Sequence, residues 1–221
     1  MTNFEKYIGV FNTNISGKEQ WYFPLQDKQT ANIILHDWFN GIRPELLEFF
    51  KEKNGNVIQA GGNFGIYPVL YTEFFQTVYT FEPDPLNFFC LNLNCQHENI
   101  IKINTALGDI NGNCKMVIPS PVNLGMNQIK KCEESTNSIP IVTIDSFQFN
   151  DVKLIQLDLE GYEYEGILGA IETINKHKPL IILETTKEAS HFEKINNILN
   201  NLNYEPYKQI TRLDTIFKFK G

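Results

Sequence analysis

The stretch Val57-Ile58-Gln59-Ala60-Gly61-Gly62-Asn63-Phe64-Gly65 decides how this chain is expected to fold. It begins with apolar, β-prone residues and ends in a glycine cluster, which lets a backbone turn sharply and approach a ligand closely. A helix that follows such a turn presents free N–H groups and the positive end of its dipole. We therefore predict a strand, a loop and a helix, with a binding site where the strand ends.

Short apolar strands alternate with helices after this loop. The spacing predicts strands at residues 57–58, 78–81, 100–104, 152–157 and 179–183, and helices at 85–95 and around 167–174. Strands separated by helices form βαβ units, so the pattern predicts an α/β fold with a mostly parallel sheet and helices on both faces. Residues 203–209 and 214–219 alternate without a helix between them, which predicts a C-terminal antiparallel hairpin at the sheet edge.

Residues 1–55 form a lead-in to this core of residues 56–221. Two β-prone runs flank Ser16-Gly17 and predict a hairpin. Helical spacing follows at residues 31–39 and 45–50, with Pro44 suited to a first helical position. The length of 221 residues fits one large domain, so we predict a single domain over residues 1–221.

Residues 119–138 interrupt the alternation of strands and helices. The stretch is polar and contains Pro, Gly and Asn. A long structureless segment inside a compact domain is either a functional loop or a disordered one. If it is functional, we expect it to lie over the strand ends.

Composition limits the classes of function. The chain is 42% hydrophobic and 20% charged, and its 19 basic and 26 acidic residues give a net charge of −7. Such a chain has no global electrostatic reason to bind nucleic acid or an anionic membrane. A signal-peptide pattern and an apolar run of about 20 residues are both missing, and four cysteines without a C-x-x-C pair predict free thiols. We expect a soluble, cytoplasmic protein.

Glu82 ends the second strand of the core, 21 residues after Gly61. A carboxylate at this position can accept hydrogen bonds from both hydroxyls of a ribose, although it could also be an exposed acid at a helix start. A dinucleotide motif counted from Gly61 would need glycine at positions 63 and 66, where the chain has Asn63 and Ile66. A nucleoside ligand without a pyrophosphate fits better, and S-adenosylmethionine is the common one.

Several acids follow later strands of the predicted sheet. Asp158 and Glu160 come after the fourth strand and are two residues apart, so in extended chain they point to the same side. Glu184 ends the fifth strand, and Asp145 closes the run 141–144. Acids that converge on one rim suggest substrate positioning, a proton acceptor or a divalent-ion site. Helix capping is the alternative interpretation of Glu160.

Six motifs in this order resemble the FkbM family of S-adenosylmethionine-dependent methyltransferases. They are residues 60–65, Phe81-Glu82-Pro83-Asp84-Pro85, Ala106-Leu107-Gly108-Asp109, Thr143-Ile144-Asp145, residues 157–163 and Ile182-Leu183-Glu184. The resemblance covers about residues 55–190. It implies a class I methyltransferase (Rossmann-like) fold with a seven-stranded sheet, and O-methylation of a hydroxyl on a sugar or small metabolite.

The resemblance also implies roles for particular residues. Gly61, Gly62, Asn63 and Gly65 would line the methionine part of the cofactor, Glu82 would hold its ribose, and Thr105, Ala106 and Leu107 would lie near its adenine. Asp158 and Glu160 would face the methyl group and the acceptor, with Asp158 as proton acceptor or the pair as Mg²⁺ ligands. The family's first motif normally has Asp at the position of Gln59, so the resemblance implies a weakened or rearranged contact with the cofactor's ammonium group there.

Two other classes of function stay open at this point. The departure at Gln59 leaves a catalytically degenerate, cofactor-binding protein that acts through interactions. A nicotinamide-dependent oxidoreductase is disfavoured by the glycine spacing. None of the four histidines falls within the six motifs, and only His36 is a candidate to reach the rim, from the lead-in. The expected partner is a small-molecule or glycan hydroxyl acceptor, whereas its identity, the need for a metal and the oligomeric state are not indicated by the sequence.

Overall fold

A computed structural model of the chain describes residues 4–15, 17–27, 39–120, 123–133, 135, 137–185, 189–210 and 213–221. The lead-in hairpin is confirmed: strands β1 (Ile8–Ile15) and β2 (Lys18–Pro24) pair in antiparallel register. Trp21 is fully buried. The side chain of Asn94 receives a hydrogen bond from the N–H of Tyr22 and donates one to its carbonyl. The hairpin therefore packs on the core.

Helix α1 (Phe39–Phe49) follows the hairpin, and it corrects one prediction. Pro44 lies inside this helix and not at its first position, so one intrahelical N–H donor is lost there. Ile42 and Leu46 lie one turn apart and are both buried, which stabilises the helix through packing. The rest of the helix predicted over residues 31–39 lies outside the described residues, as do His36 and Ser16.

The remaining strands and helices alternate as the sequence predicts, except that residues 106–142 form four further strands without an α-helix between them. The strands are β3 (Asn56–Ala60), β4 (Thr77–Phe81), β5 (Ile100–Ile103), β6 (Ala106–Leu107), β7 (Gly112–Val117), β8 (Gln128–Cys132), β9 (Ile139–Val142), β10 (Val152–Leu157), β11 (Leu180–Glu184), β12 (Tyr204–Gln209) and β13 (Asp214–Phe219). The helices are α2 (Ile66–Tyr71), α3 (Pro85–Asn94), α4 (Glu163–Leu168), α5 (Ile171–His177) and α6 (Ala189–Asn201).

The main sheet has seven strands in the order β12-β13-β11-β10-β3-β4-β5. The five strands from β11 to β5 are parallel, and β13 runs antiparallel to both β11 and β12. The predicted antiparallel hairpin at the sheet edge is therefore confirmed. In a parallel sheet the carboxyl ends of β3, β4 and β10 meet at one edge, which places the glycine loop beside the acids that follow β10.

Both faces of the main sheet are covered, as the sequence predicts. Neighbouring residues on β10 and β11 bury their side chains in two different apolar clusters: Leu154 and Ile182 in one, Ile155 and Ile181 in the other. This alternation is the two-residue period of a strand, and burial of each such side chain contributes about 1.5–3 kcal/mol. No helix in the described residues has the length and apolar character needed to span a bilayer. The assignment of residues 1–221 to one domain stays a prediction.

The helix predicted around residues 167–174 is two helices in the structure, α4 and α5. Gly169 separates α4 from α5, and a Cβ on Gly169 would lie 2.0 Å from the carbonyl oxygen of Gly108. The chain is broken where it presses against a segment that is distant in sequence. The sequence analysis also did not predict α6, whose Ile195 and Leu199 are buried.

A second sheet, in the order β6-β9-β7-β8, corrects the interpretation of residues 119–138 as structureless. Strand β8 lies within this segment and pairs with β7 in antiparallel register, and a 3-10 helix (Leu124–Met126) precedes it. The hydrophobic signal of β8 is weak because four of its five residues are polar or cysteine. The part of the expectation that places this segment near the strand ends is confirmed by the cleft described next.

Candidate functional site

A cleft of about 580 Å³ opens at the carboxyl ends of β3, β4 and β10. Of the residues selected from the sequence, it is lined by Gly61, Asn63, Glu82, Thr105, Ala106, Leu107, Asp158 and Glu160. The second sheet contributes Met116 and Ile129 to the lining, and the segment before β8 contributes Leu124, Gly125 and Asn127. An adjoining cavity of about 280 Å³ is bounded by Gly62 and Tyr67, and it shares Gly61, Asn63 and Asp158 with the cleft.

The glycine loop lies tightly against the end of β10. Gly61 has a φ of 80°, and a Cβ there would lie 2.0 Å from the carbonyl oxygen of Asp158. The N–H groups of Gly61 and Gly62 both donate to the carbonyl of Phe81, at 3.1 and 2.9 Å. Gly65 has a φ of 101° and directly precedes α2 without lining the cleft. The glycines therefore allow a close approach of two strand ends that side chains would prevent.

Gln59 lies behind this loop and not on the wall of the cleft. It is fully buried. Its Nε2 donates to the carbonyl of Gly61 at 3.0 Å, and its Oε1 accepts from the Thr80 hydroxyl at 2.5 Å. Both ends of the amide are thus used to hold the glycine loop against β4. A direct contact of Gln59 with the cofactor stays a prediction.

Glu82 is a buried carboxyl group at the carboxyl end of β4. It is 5% exposed, and its two oxygens accept from the N–H of Asn63 at 2.6 Å and of Asp84 at 2.8 Å. Burial, with a smaller contribution from the charge of Asp84, raises the pKa of Glu82 to about 8. The helix start is capped by Asp84, which accepts from the N–H groups of Leu86 and Asn87. Glu82 is therefore not an exposed acid at a helix start.

The resemblance places three residues near the adenine, and they lie where the second sheet joins the core: Thr105, Ala106 and Leu107. The Thr105 hydroxyl donates to the carbonyl of Pro140 at 2.7 Å. Ala106 and Leu107 form β6, which pairs with β9 and is buried. This anchor fixes the second sheet over the cleft.

Three carboxyl groups converge beside the glycine loop. Oxygens of Asp158, Glu160 and Glu184 lie within 4.8 Å of one another. Burial and the nearby charge and hydrogen bond of Glu184 raise the pKa of Asp158 well above its usual value. Burial and the charges of Glu184 and Glu163 raise the pKa of Glu160 to about 8. The cluster therefore keeps a proton near neutral pH, and its donor set is also one that a divalent cation accepts.

The backbone brings these acids together differently from the sequence expectation. Glu160 has a φ of 52° and Gly161 of 100°, so the chain turns after Asp158 and does not continue as a strand. Asp145 is not part of the cluster. Its carboxylate accepts from the N–H groups of Glu172 and Thr173 and so caps α5.

Glu163 and His191 are two residues whose place in the site the sequence analysis missed. The fully buried Glu163 accepts from the N–H groups of Leu159 and Gly161, at 2.8 and 3.1 Å, and so holds the turn that carries Glu160. Its second oxygen pairs with His191 on α6 at 3.1 Å. This hydrogen bond raises the pKa of His191. In the sequence, Glu163 stands out only as a member of the motif at residues 157–163, and His191 lies outside all six motifs.

The model of the FkbM methyltransferase domain matches residues 59–206. The chain belongs to the FkbM methyltransferase family. The family and the structure agree on a class I methyltransferase fold, which confirms the α/β prediction.

Several solved structures resemble this chain at low identity, and those with a TM-score of 0.50 or more show the same fold. The FkbM methyltransferase from Methylobacillus flagellatus KT has a TM-score of 0.57 and 17% identity, over 78% of this chain and 45% of that one. Trm5b from Pyrococcus abyssi has a TM-score of 0.50 and 16% identity, over 96% and 56%. M. jannaschii TYW2 in complex with AdoMet has a TM-score of 0.48 and 11% identity, over 96% and 87%. This FkbM chain thus spans less than half the length of the M. flagellatus protein. No curated protein matches its sequence.

Proposed function

We propose that this FkbM family member transfers a methyl group from S-adenosylmethionine to a hydroxyl of a sugar or small metabolite. Family membership supports methyl transfer. The observation that supports a hydroxyl acceptor is the convergence of Asp158, Glu160 and Glu184 beside Gly61, at the opposite side of the loop from Glu82. One cleft thus offers a place for a nucleoside and a cluster of proton acceptors next to it.

The residues of the cleft fit the nucleoside part of this cofactor. The Glu82 carboxylate is available to two ribose hydroxyls, and Ala106 and Leu107 offer an apolar surface to the base. Gly61 lines the cleft without a side chain, so its backbone can approach a ligand closely. No lysine or arginine of the described chain lines the cleft, so a pyrophosphate would meet acids without a counter-charge. This disfavours a nicotinamide dinucleotide.

S-adenosylmethionine, when bound, supplies a methyl group on a sulfonium; transfer breaks its carbon–sulfur bond and leaves S-adenosylhomocysteine. The task of the protein is to orient the acceptor oxygen and to take up its proton. Asp158 accepts this proton in its ionised form. Burial, together with the charges of Glu184 and Glu160, raises the pKa of Asp158 well above its usual value, which makes it a stronger general base than an ordinary carboxylate.

In a second version of the mechanism, a divalent cation would bind to the same three acids. Ligation by Asp158, Glu160 and Glu184 would lower the proton affinity of a bound hydroxyl without a carboxylate base. The two versions differ in their response to a chelator, which abolishes turnover only if the cation is needed.

The acceptor is proposed to be a small molecule or glycan and not a nucleic acid. The net charge of −7 and the acids at the cleft would both repel a phosphate backbone.

Calorimetry with S-adenosylhomocysteine and then with NADH tests the cofactor. We expect binding of the first and none of the second, and the reverse result would reject the proposal. A screen of hydroxylated sugars and small metabolites for methyl transfer tests the acceptor. Failure of the whole screen in spite of tight S-adenosylhomocysteine binding would favour a cofactor-binding protein without catalysis.

A further inference from the structure

Two asparagine side chains on one wall of the cleft have a buried oxygen without a partner. Asn87 is 2% exposed and belongs to the first turn of α3, and Asn127 lies between the 3-10 helix and β8. Both line the cleft. Their Oδ1 atoms have no hydrogen-bond partner among the residues that the structure describes.

The nitrogen of each amide is already used. Asn127 Nδ2 donates to Oδ2 of Asp84 at 3.1 Å. The Asn87 amide hydrogen-bonds Glu82, and its Nδ2 lies 3.5 Å from the carbonyl of Leu124. The Asp84 carboxylate and the Leu124 carbonyl only accept hydrogen bonds, so the amide nitrogens face them and the Oδ1 atoms face away. The Oδ1 atoms of both amides are therefore left to accept a further hydrogen bond.

The wall formed by Glu82, Asn87 and Asn127 offers acceptors. The Oδ1 of Asn63, on the glycine loop, is a further buried acceptor without a partner in the described chain. Native proteins rarely leave such atoms unpaired, so an occupant of the cleft is expected to bring hydrogen-bond donors to this wall. An adenosine has donors of two kinds, the 6-amino group of the base and the hydroxyls of the ribose.

We propose that Asn87 and Asn127 determine nucleoside specificity by accepting hydrogen bonds from N–H or O–H donors of the cofactor's adenosine. This rests on the proposed function, because it needs an adenosine in this cleft. It also gives the segment before β8 a purpose: Asn127 is held by Asp84 and so ties the second sheet to the nucleoside end of the site.

Calorimetric affinities for a set of ligands test the proposal on the full chain. The ligands are S-adenosylhomocysteine, its 6-oxo analogue S-inosylhomocysteine, and its 2′-deoxy and 3′-deoxy analogues. The variants are Asn127→Leu and Asn87→Leu, with Asn127→Ser as a smaller replacement if the leucine variant fails to fold by thermal melting. Asn92→Leu is the matched control, because Asn92 is on the same helix, donates to the carbonyl of Phe88 at 2.9 Å and does not line the cleft.

We expect Asn127→Leu and Asn87→Leu to bind S-adenosylhomocysteine roughly tenfold or more weakly, and Asn92→Leu to bind like the parent. The parent should prefer S-adenosylhomocysteine to an analogue that lacks a donor used in binding, and each variant should lose part of this preference for one analogue. The reason is that the acceptor deleted in the variant and the donor deleted in the analogue form the same hydrogen bond. A lost preference against S-inosylhomocysteine assigns the acceptor to the base, and one against a deoxy analogue assigns it to the ribose.

Two results would overturn the proposal in distinguishable ways. If the parent binds S-adenosylhomocysteine while both leucine variants bind it equally well, or lose the same factor for every analogue, the asparagines do not read the nucleoside. If the folded parent binds none of the ligands, the proposed function fails and this inference with it.

Discussion

At the scale of single residues, the protonation of Glu82 links cofactor binding to pH. Its pKa of about 8 means that the buried carboxyl is mostly neutral at pH 7, and only the ionised form accepts from two ribose hydroxyls. We predict that the affinity for S-adenosylhomocysteine rises between pH 6 and 8.5, by up to about tenfold per unit while Glu82 is neutral. Calorimetry across this range measures it.

The matched variant for this prediction is Glu82→Gln, which keeps the size of the side chain and removes the titration. Its affinity should be lower above pH 8, and its affinity should rise less steeply with pH than that of the parent, because the contribution of Glu82 is removed. Parallel affinity curves for Glu82→Gln and the parent would show that the Glu82 carboxylate does not bind the ribose.

Asp158 carries the prediction about chemistry. Asp158→Asn keeps the size of the side chain and removes its basicity, so turnover with a verified acceptor should fall by about 10²–10⁴, the usual contribution of a general base. Affinity for S-adenosylhomocysteine should change little. Because the pKa of Asp158 is raised, the parent's turnover should also increase with pH as the base form is populated. Near-normal turnover in Asp158→Asn would remove this residue from the mechanism.

At the scale of elements, the contact between the glycine loop and β10 is expected to tolerate no side chain. Gly61→Ala places a Cβ 2.0 Å from the Asp158 carbonyl, on backbone with a φ of 80°. We predict that it displaces the loop, lowers the melting temperature and abolishes S-adenosylhomocysteine binding. Gly161→Ala is the control, since Gly161 has a φ of 100° with nothing within 4 Å of a Cβ and should incur only strain of roughly 1–2 kcal/mol. Equal losses in the two variants would contradict the steric explanation.

The elements also show how far the sequence determines the fold. The strand over residues 152–157 is predicted to the residue, because an apolar run buried on both faces gives a strong local signal. The break between α4 and α5 is not predictable locally, because it arises where Gly169 meets the backbone of Gly108. Strand β8 is hidden for a similar reason: its pairing with β7 supplies the stability that its polar sequence does not.

The candidate site likewise contains residues that the sequence predicts and residues that it does not. Glu82, Asp158 and Glu184 are predictable because they lie at the carboxyl ends of parallel strands, and these ends share one edge of the sheet. The pair of Glu163 with His191 and the wall of Asn87 with Asn127 join elements that are far apart along the chain, so no spacing reveals them. Gln59 illustrates the reverse case, since its position in the first motif suggests a ligand contact and the fold places its amide behind the loop.

At the scale of the whole molecule, the site concentrates acids that hold protons in the folded state. The pKa values of Glu82, Asp158, Glu160 and Glu184 are all raised, chiefly by burial. The folded chain therefore binds more protons than the unfolded chain between the ordinary carboxyl pKa near 4.5 and the raised values near 8. By linkage, the stability that these groups contribute is complete below the lower value and is lost as pH rises through the higher one.

We therefore predict that the melting temperature of the ligand-free chain falls from pH 6 to pH 9, by roughly 2–4 °C for each kcal/mol of stability lost. The pair of His191 with Glu163 acts in the same direction, because a raised histidine pKa contributes stability that also disappears as pH rises. Thermal unfolding across this range, above the pI of about 5.2, measures the effect. The double variant Glu82→Gln with Glu160→Gln removes two of the titrating groups and should flatten the curve. A melting temperature that rises with pH in the parent would mean that these carboxyls are ionised in the folded chain. The inference that the acid cluster holds a proton near neutral pH would then be rejected.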